Sequence, residues 1–398
     1  MTETRRQQYV VIGISDDHEQ EFSSEVNRLI RQGTVFSGGT RHREIMQSRL
    51  PEGAIWIDIT VPLHNVFKQY AAHEQIIVFA SGDPLFFGFA NTLLREFPAA
   101  SIKLFPAFNS LQMLAHRLLI PYQDMRVVSL TGRPWLRFDQ ALIEGETLIG
   151  ILTDHEKTPS AIGRRMLAYG YDNYIMAVGE RLGNRELERA QHYSLKEAAT
   201  QDFAFPNNVI LRRTAVRRRL MGIPDEQFHL LNGRVNMITK MPIRLLTLSL
   251  LDLREKQSLW DIGSCTGSVS VEAKLQFPHL QITAFEQRPE GKELLEANAR
   301  KFGTPGIDLH IGDVLQADLE SLPRPDAVFI GGHGGKLIEI IQRVHPLLKD
   351  KGTIVFNSVT QESRRMFEEG IHQAGRNITQ TYHIQVDQHN PIDILKAE

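Results

Sequence analysis

The sequence predicts an α/β protein with two domains, the second of which holds a seven-stranded, Rossmann-like sheet. The chain has 398 residues, which is too long for one ordinary hydrophobic core and suits two domains of about 200 residues. Short β-branched segments alternate with helical segments through both halves, a pattern typical of largely parallel sheets covered by helices. In the second half, five such segments precede a hairpin-like pair, which favours five parallel strands followed by an antiparallel pair.

The strand segments are identified by their β-branched and aromatic residues and by the turn residues that bound them. In the first half the predicted strands are 9–14, 54–59, 75–80, 102–105, 126–130, 147–152, 174–179 and 208–211. In the second half they are 258–262, 281–285, 308–312, 326–331, 352–357 and the pair 379–386 and 392–397.

A basic run separates the two halves. Its members are Arg212, Arg213, Arg217, Arg218 and Arg219, followed by Gly222 and Pro224. This combination marks a surface connection, either a solvated helix face or a segment that attracts an anionic substrate. We therefore expect a first domain over 1–210, a basic linker over 211–235 and a second domain over 236–398.

The bulk composition excludes several classes of partner. The net charge is -2, so nothing draws the whole chain toward nucleic acid or an anionic membrane. No apolar run has the length of a signal peptide or a membrane span, which predicts a cytoplasmic protein with no membrane partner. The single cysteine, Cys265, excludes an intramolecular disulfide and a cysteine-based metal cluster, and no H-E-x-x-H motif is present, so no metal site is expected.

The segment SLWDIGSCTGSVSVE, 258–272, has the form of a strand, a tight glycine turn and a helix start. Gly263 and Gly267 allow a sharp turn and a close approach of the backbone to a ligand. We expect Ser268 to cap a helix that continues to about Phe277. Such a turn is where α/β proteins hold adenosine-bearing cofactors.

The spacing of this turn favours S-adenosylmethionine over a dinucleotide. A dinucleotide fingerprint needs G-x-G-x-x-G, whereas Cys265 stands in the place of the middle glycine. Three carboxylates follow successive strands: Asp261 opens the turn, Glu286 is placed to accept hydrogen bonds from the ribose hydroxyls, and Asp313 to accept one from the adenine amine. The alternative is that Asp261 and Asp313 only cap helices. The remaining candidate cofactor residues of this half are Thr239, Thr266, Gly312 and Gly331.

A second glycine turn, ASGDPLFFG at 80–88, follows the predicted strand 75–80. Gly82 permits a conformation closed to other residues, Asp83 can cap, and Pro84 fixes the turn, so backbone groups are presented to a ligand. Taken alone, G-D-P is an ordinary turn signal.

The first half resembles the tetrapyrrole methylases of corrin synthesis. The resemblance rests on GDPLFFG together with SGGTRH at 37–42, FPAFNSLQMLAHRL at 105–118, VVSLTGRP at 127–134 and LTD at 152–154. The second half resembles the C15-methylating, decarboxylating enzyme of the same pathway, through MITKMPIRLLTLSLLDL, WDIGSCTGSVSVEA, FEQRPEG, ANARKFG, GD, DAVFIGGHGG and FNSVT. Together they cover nearly the whole chain, in the order of the fused bifunctional enzymes.

The chain departs from this family at three points. The family's first strand usually runs into a G-x-G-P-G turn, whereas here Gly13 is followed by ISDDHEQEF, which leaves open whether this turn contacts the cofactor. Thr131 stands where the family often has histidine. Cys265 replaces a small glycine or alanine, which is tolerated if its side chain points away from the ligand.

The resemblance implies a fold, a cofactor and two reactions. The first domain should have the tetrapyrrole methylase fold of two α/β subdomains and methylate C5 of the macrocycle. Candidate cofactor residues there are Gly82, Asp83, Pro84 and Gly88, with Ser110 and Thr153 lining the cleft. The second domain should methylate C15 and release CO2 from the ring-C acetate. The substrate is then a precorrin or cobalt-precorrin, and the protein is expected to form a homodimer or homotetramer.

Methyl transfer from a sulfonium is an in-line displacement that needs no acid or base at the methyl group. A cation could steer the departing carboxylate, and Lys240, Arg244 and His333 are the candidates. The alternative is that Lys240 and Arg244 only begin a helix and that His333 only belongs to its loop. Basic side chains that could meet substrate carboxylates in the first domain are Arg41, His42, Arg43, Arg133 and Arg137.

Three other functions remain open at this point. The first domain could be a scaffold that holds tetrapyrrole without catalysis, because its first turn is altered. The second domain could methylate RNA, although it lacks an aromatic-interleaved basic surface. An NAD-dependent oxidoreductase is disfavoured by the glycine spacing.

Overall fold

The computed structural model describes residues 7–234, 237–387 and 389–398. The predicted linker end at 235 and the predicted domain start at 236 lie outside the described residues. The chain forms two compact units. The first unit contains the described residues up to Arg133 together with Thr147–Arg164 and Tyr174–Thr214, and the second contains Pro134–Glu146, Arg165–Asn173 and the described part of Ala215–Glu398.

Strands and helices alternate through both units. The strands are β1 (Gln8–Ile14), β2 (Val35–Gly38), β3 (Ile55–Asp58), β4 (Gln75–Ser81), β5 (Ser101–Phe105), β6 (Arg126–Ser129), β7 (Leu148–Leu152), β8 (Tyr174–Glu180), β9 (Arg189–Ser194), β10 (Asn207–Arg213), β11 (Ser258–Ile262), β12 (Gln281–Glu286), β13 (Ile307–Ile311), β14 (Ala327–Ile330), β15 (Thr353–Ser358), β16 (Ile378–Ile384) and β17 (Ile392–Ala397). The α-helices are α1 (Ser24–Gln32), α2 (Thr40–Met46), α3 (His64–Tyr70), α4 (Ala90–Glu96), α5 (Ser110–Arg117), α6 (Leu136–Glu144), α7 (Pro159–Ala168), α8 (Leu195–Ala198), α9 (Met241–Leu251), α10 (Ser268–Gln276), α11 (Gly291–Phe302), α12 (Leu337–Val344) and α13 (Gln361–Gln373).

The first sheet has five strands in the order β3-β2-β4-β1-β5, and all its pairings are parallel. The predicted strands of this region are confirmed, while the short strand β2 is an addition to them. Because β1 lies between β4 and β5, their carboxyl ends meet at one edge of the sheet. Ile14 pairs there with Ser81, the residue before the GDP turn.

The second sheet has the order β6-β7-β10-β8-β9, and only β6 and β7 pair in parallel. The expectation of a largely parallel sheet is therefore wrong for this part of the chain. Strand β10 runs between β7 and β8 in the opposite direction, and β9 returns directly from β8. A short connection can join antiparallel neighbours, whereas parallel neighbours need a long crossover.

The third sheet has seven strands in the order β13-β12-β11-β14-β15-β17-β16. Its first five strands are parallel and its last two are antiparallel, which confirms the predicted seven-stranded sheet. Trp260 and Val328 belong to the core under α12 and α13, whereas Leu259 and Phe329 belong to the core under α9 and α10. Burial on both faces explains why these strands are continuously hydrophobic.

The basic run after β10 is not helical. The first two arginines end β10, and no α-helix lies between it and residue 224 in the described chain. The interpretation of the basic run as a solvated helix face is therefore wrong. The guanidinium of Arg217 donates to the carbonyls of Tyr169 and Gly170 at 2.8 Å and lies over the ring of Tyr171 at 4.4 Å. This arginine is a structural contact of the second unit.

Among the described helices, none combines the length and the hydrophobicity that crossing a bilayer requires.

Candidate active sites

The bend after β11 brings two glycine loops of the second unit into contact. Gly263 has a φ of +74°, and a Cβ atom built on it would lie 2.5 Å from the backbone nitrogen and oxygen of Gly332. The amides of Gly263 and Ser264 both donate to the carbonyl of Phe285, at 2.9 and 3.0 Å. The amide of Gly331 donates to the carbonyl of Ile262 at 2.8 Å. The carboxyl ends of β11, β12 and β14 are thus joined around residue 263.

Asp261 is a buried carboxylate with one unsatisfied oxygen. It is 1% exposed, and its Oδ2 accepts a hydrogen bond from the hydroxyl of Ser270 at 2.5 Å. Its Oδ1 is buried and has no hydrogen-bond partner among the described residues. Burial raises the pKa of Asp261 to about 6. A buried acceptor without a donor is the observation that best fits a bound polar ligand here.

Glu286 closes the bend from the neighbouring strand. Its Oε2 accepts from the amide of Cys265 at 2.8 Å, and its Oε1 accepts from the amide of Arg288 at 2.9 Å. Glu286 is 4% exposed; its Oε2 keeps capacity for a second hydrogen bond, and its Oε1 also lies 3.5 Å from Nη1 of Arg288, an exposed side chain. Glu286 therefore fixes the loop and still fits the hydroxyl pair of a ribose.

Asp313 takes part in local contacts. Its Oδ1 accepts from the amide of Leu315 at 3.0 Å, which caps a 3-10 turn, and its Oδ2 pairs with the ammonium of Lys336 at 2.8 Å. This hydrogen bond lowers the pKa of Asp313. The capping geometry of the alternative interpretation is thus present at Asp313. Gly312 beside it has a φ of +133° and no atom within 4 Å of a Cβ position, so the strand end is open on that side.

The start of α10 differs from the prediction in one respect. The N-cap is Gly267, with a φ of 70°, and Ser268 is the first helical residue, so the prediction that Ser268 caps the helix is wrong. The hydroxyl of Thr266 accepts from the amide of Ser268 at 3.3 Å and takes over part of that role. The predicted helix end is confirmed, because Phe277 is the C-cap.

Arg244 lies in a buried ion-pair network. Its side chain is 0% exposed, and its Nε lies 3.0 Å from Glu272, whose side chain is also 0% exposed. Its Nη1 contacts Asp225 at 3.3 Å and the carbonyl of Thr239 at 2.8 Å, and its Nη2 donates to the carbonyl of Ile223. A substrate carboxylate would have to displace these partners. The geometry favours a structural role, in which Arg244 holds the segment before α9 against α10.

The other two candidate cations are more accessible. Lys240 immediately precedes α9 and lies 3.7 Å from Asp225, with 19% of its side chain exposed. The ring of His333 lies in the loop after β14, 5.8 Å from the ring of Phe356. Burial lowers the pKa of His333, which favours its neutral form.

The bend after β4 is held by backbone contacts. Gly82 has a φ of +59°, its amide donates to the carbonyl of Ile14 at 2.8 Å, and its carbonyl accepts from Ala107 at 3.2 Å. A Cβ on Gly82 would lie 2.7 Å from the Cα of Asn109, and one on Gly13 would lie 1.9 Å from the carbonyl oxygen of Gly82. The altered first turn therefore keeps the close approach of β1 to the GDP turn.

A cavity of about 440 Å³ lies beside this turn. It is lined by Leu85, Phe86, Phe87, Gly88, Asn91, Thr92, Arg95 and Arg133. Phe87 is 48% exposed with a φ of 54°, and the guanidinium of Arg133 lies 5.4 Å from its ring. Asp83 Oδ1 accepts from the amide of Leu85 at 2.9 Å, and a Cβ on Gly88 would lie 2.4 Å from the carbonyl oxygen of Pro84. The motif thus forms one compact turn.

Ser110 and Thr153 belong to different elements of the first unit. Ser110 begins α5 directly after Asn109, which touches Gly82, so it lies beside the bend. Thr153 follows β7 in the second sheet and donates to the carbonyl of Asn207 at 2.5 Å. Its own carbonyl accepts from the hydroxyl of Thr131 at 3.0 Å. The structure therefore places Ser110 next to Asn109, which approaches Gly82, whereas Thr153 bonds to Asn207 and Thr131.

Two of the basic candidates have partners outside the bend. Arg43 lies 3.9 Å from Asp58, and Arg137 donates to Gln140 at 3.0 Å. Two residues with contacts at these bends were not predicted. Ser270, which donates to Asp261, carries only the signal of a small polar residue in a buried helix, and Arg181, which pairs with Asp16 in the turn after β1, carries no local signal at all.

Both halves of the chain match families of known proteins. Residues 10–199 match the tetrapyrrole (corrin/porphyrin) methylases, and residues 233–397 match the precorrin methyltransferase domain. A precorrin-6Y C(5,15)-methyltransferase (decarboxylating) from Sinorhizobium sp is 33% identical over 359 residues, covering 88% of this chain and 84% of that protein. A protein of the same name from Mycobacterium tuberculosis is 27% identical over 377 residues, covering 94% and 93%.

The second half also matches a shorter relative. A cobalt-precorrin-6B C(15)-methyltransferase (decarboxylating) from Salmonella typhimurium is 40% identical over 139 residues, covering 35% of this chain and 70% of that protein. The fold and the matches define a tetrapyrrole methylase joined to a second methyltransferase domain. The chain belongs to the family of precorrin-6Y C(5,15)-methyltransferases (decarboxylating). The predicted fold class and enzyme class are confirmed, and so is S-adenosylmethionine, the cofactor of tetrapyrrole methylases.

Proposed function

We propose that this chain is a bifunctional methyltransferase of corrin ring biosynthesis. It transfers methyl groups from S-adenosylmethionine to C5 and C15 of a precorrin or cobalt-precorrin and releases CO2 from the ring-C acetate. The observation that carries the proposal is the pair of glycine bends, one in each unit, each at the carboxyl edge of parallel strands. Such edges are where open α/β sheets bind ligands.

In the second unit the described residues fit an adenosine group. Asp261 offers a buried acceptor without a donor, and Glu286 offers two oxygens that are already oriented by backbone amides. When bound, S-adenosylmethionine supplies an electrophilic methyl group. The chain's own part is to hold the ribose with these carboxylates and to leave space for the donor beside the touching loops at Gly263 and Gly332.

The decarboxylation needs an acceptor for the electron pair of the broken bond, and it needs a proton for the carbon that loses the carboxyl group. The bond between the acetate carboxyl group and its methylene carbon breaks, the electron pair enters the conjugated macrocycle, and the exocyclic carbon later takes a proton. Lys240 and His333 are the proposed contacts of this acetate, because Lys240 keeps 19% of its side chain exposed at the start of α9 and His333 lies in the loop after β14. Arg244 is proposed to position the segment that carries Lys240.

The first unit is proposed to methylate C5, with the cofactor held at Gly82, Asp83, Pro84, Gly88 and Ser110. The contact between Gly13 and Gly82 supports this activity over the scaffold alternative, because the altered turn still reaches the bend.

We propose a first domain over 1–210 and a second domain over 236–398, joined by a linker over 211–235. We also propose a cytoplasmic homo-oligomer with neither nucleic acid nor membrane as a partner. The comparisons do not favour an RNA methyltransferase or an oxidoreductase.

The test is mass spectrometry of the product made by the full chain with deuteromethyl S-adenosylmethionine. Metal-free and cobalt-bearing substrates are compared. The proposal expects two labelled methyl groups and the loss of one CO2 from the accepted substrate. A product labelled only at C15 would establish the scaffold alternative. Absence of any label on either substrate would overturn the proposal.

A further inference from the structure

The turn after β1 contains a buried acid between two arginines. The side chain of Asp16 is only 2% exposed. Its Oδ1 lies 3.4 Å from Nη1 of Arg41, and its Oδ2 lies 3.1 Å from Nε of Arg181. Arg41 is in α2 and Arg181 follows β8, so one carboxylate orients guanidinium groups that are far apart in the sequence.

This cluster is joined to the GDP turn. Nη2 of Arg41 donates to the hydroxyl of Ser81 at 2.9 Å, and Nε2 of His42 lies 2.9 Å from the same hydroxyl. Ser81 is the last residue of β4 and directly precedes Gly82. Burial, together with the positive charge of Arg41, lowers the pKa of His42 to about 4, so this imidazole is neutral at pH 7.

The acidic residues next to Asp16 have their own partner. Arg185 lies 3.4 Å from Asp17 and 2.5 Å from Glu19. These carboxylates therefore do not neutralise Arg41 or Arg181. A Cβ on Gly183 would lie 3.0 Å from the Cβ of Ser15, so the segment that carries both Arg181 and Arg185 packs closely against the turn.

The cluster has one positive charge in excess. Two guanidinium groups face one carboxylate, and the neighbouring imidazole is neutral. The side chains of Arg41 and Arg181 are 37% and 30% exposed, so both reach solvent at the edge of the sheet. In the described chain, Arg181 uses only its Nε toward Asp16, and its two Nη groups have no hydrogen-bond partner. Two guanidinium groups with excess charge and accessible donors can bind an anion.

We propose that Arg41 and Arg181 form a carboxylate-binding site of the first unit, and that Asp16 is the positioning residue that orients them. The ligand is a peripheral carboxylate of the tetrapyrrole, so the inference rests on the proposed function. The planar guanidinium fork matches a carboxylate, and the network through Ser81 places this contact next to the bend at Gly82. The acidic turn that replaces the glycine- and proline-rich one thereby acquires a role in binding substrate.

The first experiment measures steady-state C5 methylation by the full chain carrying Arg41→Gln or Arg181→Gln. The lost charge-assisted contact should raise the KM for the tetrapyrrole roughly tenfold, with a much smaller change in kcat. C15 methylation by the same molecules is the internal reference and should be unchanged. Asp16→Asn should act in the same direction, because both guanidinium groups lose the partner that orients them.

The matched control is Arg185→Gln, which removes an exposed ion pair from the same segment and should leave the KM within about twofold. Arg41→Lys and Arg181→Lys keep the charge and should recover part of the affinity. Rescue by lysine separates substrate binding from a merely structural role. Thermal unfolding of each variant identifies any that fails to fold. If a glutamine variant does not fold, the KM values of Arg41→Lys and Arg181→Lys are used to test the proposal instead.

A second experiment measures binding without catalysis. The probes are a porphyrin octacarboxylate and its octamethyl ester, followed by quenching of intrinsic fluorescence. The wild type should prefer the acid, and the two glutamine variants should lose most of that preference. If folded glutamine variants keep the wild-type preference and KM, the carboxylate site is disproved while the methyltransferase assignment stands. If the wild type methylates neither position, the proposed function fails, and the preference for the acid still decides the anion site.

Discussion

The two glycine bends, at Gly82 in the first unit and at Gly263 in the second, occupy corresponding places in their sheets but have different surroundings. Gly263 lies among carboxylates, since Asp261 and Glu286 are both buried beside it. Gly82 is fixed by backbone contacts with Ile14 at the end of β1 and with Ala107 after β5, and the hydroxyl of Ser81 beside it accepts a hydrogen bond from the guanidinium of Arg41.

This comparison distinguishes two requirements: the backbone geometry of each bend decides where glycine is needed, and the ligand decides which charged side chains surround the bend. Both bends need glycine because a left-handed residue must pass close to another loop. The charges around them fit the groups that we propose they bind: carboxylates can accept hydrogen bonds from ribose hydroxyls, and guanidinium groups can bind substrate carboxylates. Each unit can therefore be disabled separately, which makes the comparison testable.

The largest effect is expected from Gly263→Ala. The new Cβ would lie 2.5 Å from the backbone of Gly332, and the residue would keep a φ of +74°. Clash and strain together should lower the free energy of unfolding by about 3 kcal/mol and reduce C15 methylation at least ~100-fold. C5 methylation should persist. Gly375→Ala is the control, because Gly375 has a φ of +68° with no atom within 4 Å of the Cβ position. Equal loss in both variants would contradict the role of the loop contact.

Gly82→Ala is the corresponding change in the first unit. Its Cβ would lie 2.7 Å from the Cα of Asn109, so the bend must open and C5 methylation should fall roughly 100-fold. Because C15 methylation should continue, the product should carry a single labelled methyl group. Gly53→Ala tests the left-handed conformation alone, at a φ of +76° in open space, and should cost about 1 kcal/mol without loss of either activity. Loss of C15 methylation in Gly82→Ala would show that the two bends are not independent.

Asp261→Asn should weaken binding of the cofactor and raise the free energy of unfolding at pH 7.5. The pKa of the buried carboxyl is raised to about 6 from 3.8, so the folded protein favours the protonated form. The free energy of unfolding should therefore fall as the pH rises from about 4 to about 6 and stay level above that, a difference of about 3 kcal/mol. The neutral amide removes this cost at pH 7.5, whereas affinity for S-adenosylmethionine in the second unit should drop roughly tenfold or more.

Urea unfolding at pH 4 and pH 7.5 measures the first effect, and calorimetric titration measures the second. Ser270→Ala is a useful companion because it removes the hydroxyl that donates to Asp261 and leaves the charge in place. That variant should lose stability at pH 7.5. An Asp261→Asn protein that is less stable at pH 7.5 would contradict the view that its carboxylate is retained for the ligand.

The fold could be predicted from the sequence where local pattern and final environment agree. The central strands of the third sheet, β11, β14 and β15, are largely hydrophobic because both of their faces are buried, and this produces a recognisable run in each. Strand β2 has only four residues and ends in Ser-Gly, and β9 is a polar edge strand, so neither carries such a run. The insertion of β10 between β7 and β8 depends on pairing across the sheet, for which the segment itself contains no signal.

The residues of the candidate sites divide in the same way, into those that a local sequence pattern reveals and those that only the tertiary structure brings together. Asp261, Glu286 and Asp313 could be found because each lies within two residues of the carboxyl end of a strand, and parallel strands bring such ends together. The pairing of Asp16 with Arg181 joins residues that are 165 positions apart and arises only from tertiary structure. The burial of Arg244 could not be predicted either, because its partner Glu272 lies on α10, a helix that is buried on all sides although its sequence contains several polar residues.

The smallest effect concerns Asp313 and decides between its two interpretations. Lys336→Gln removes an ammonium 2.8 Å from Oδ2 of Asp313 and leaves the cap to Leu315 intact. The ammonium is half exposed, so thermal unfolding should be unchanged within error. If Asp313 accepts the adenine amine, the freed oxygen should raise the affinity for S-adenosylmethionine about twofold, more clearly at low salt. If Asp313 only caps the turn, titration will show no change, and the carboxylates that contact the cofactor are then Asp261 and Glu286 alone.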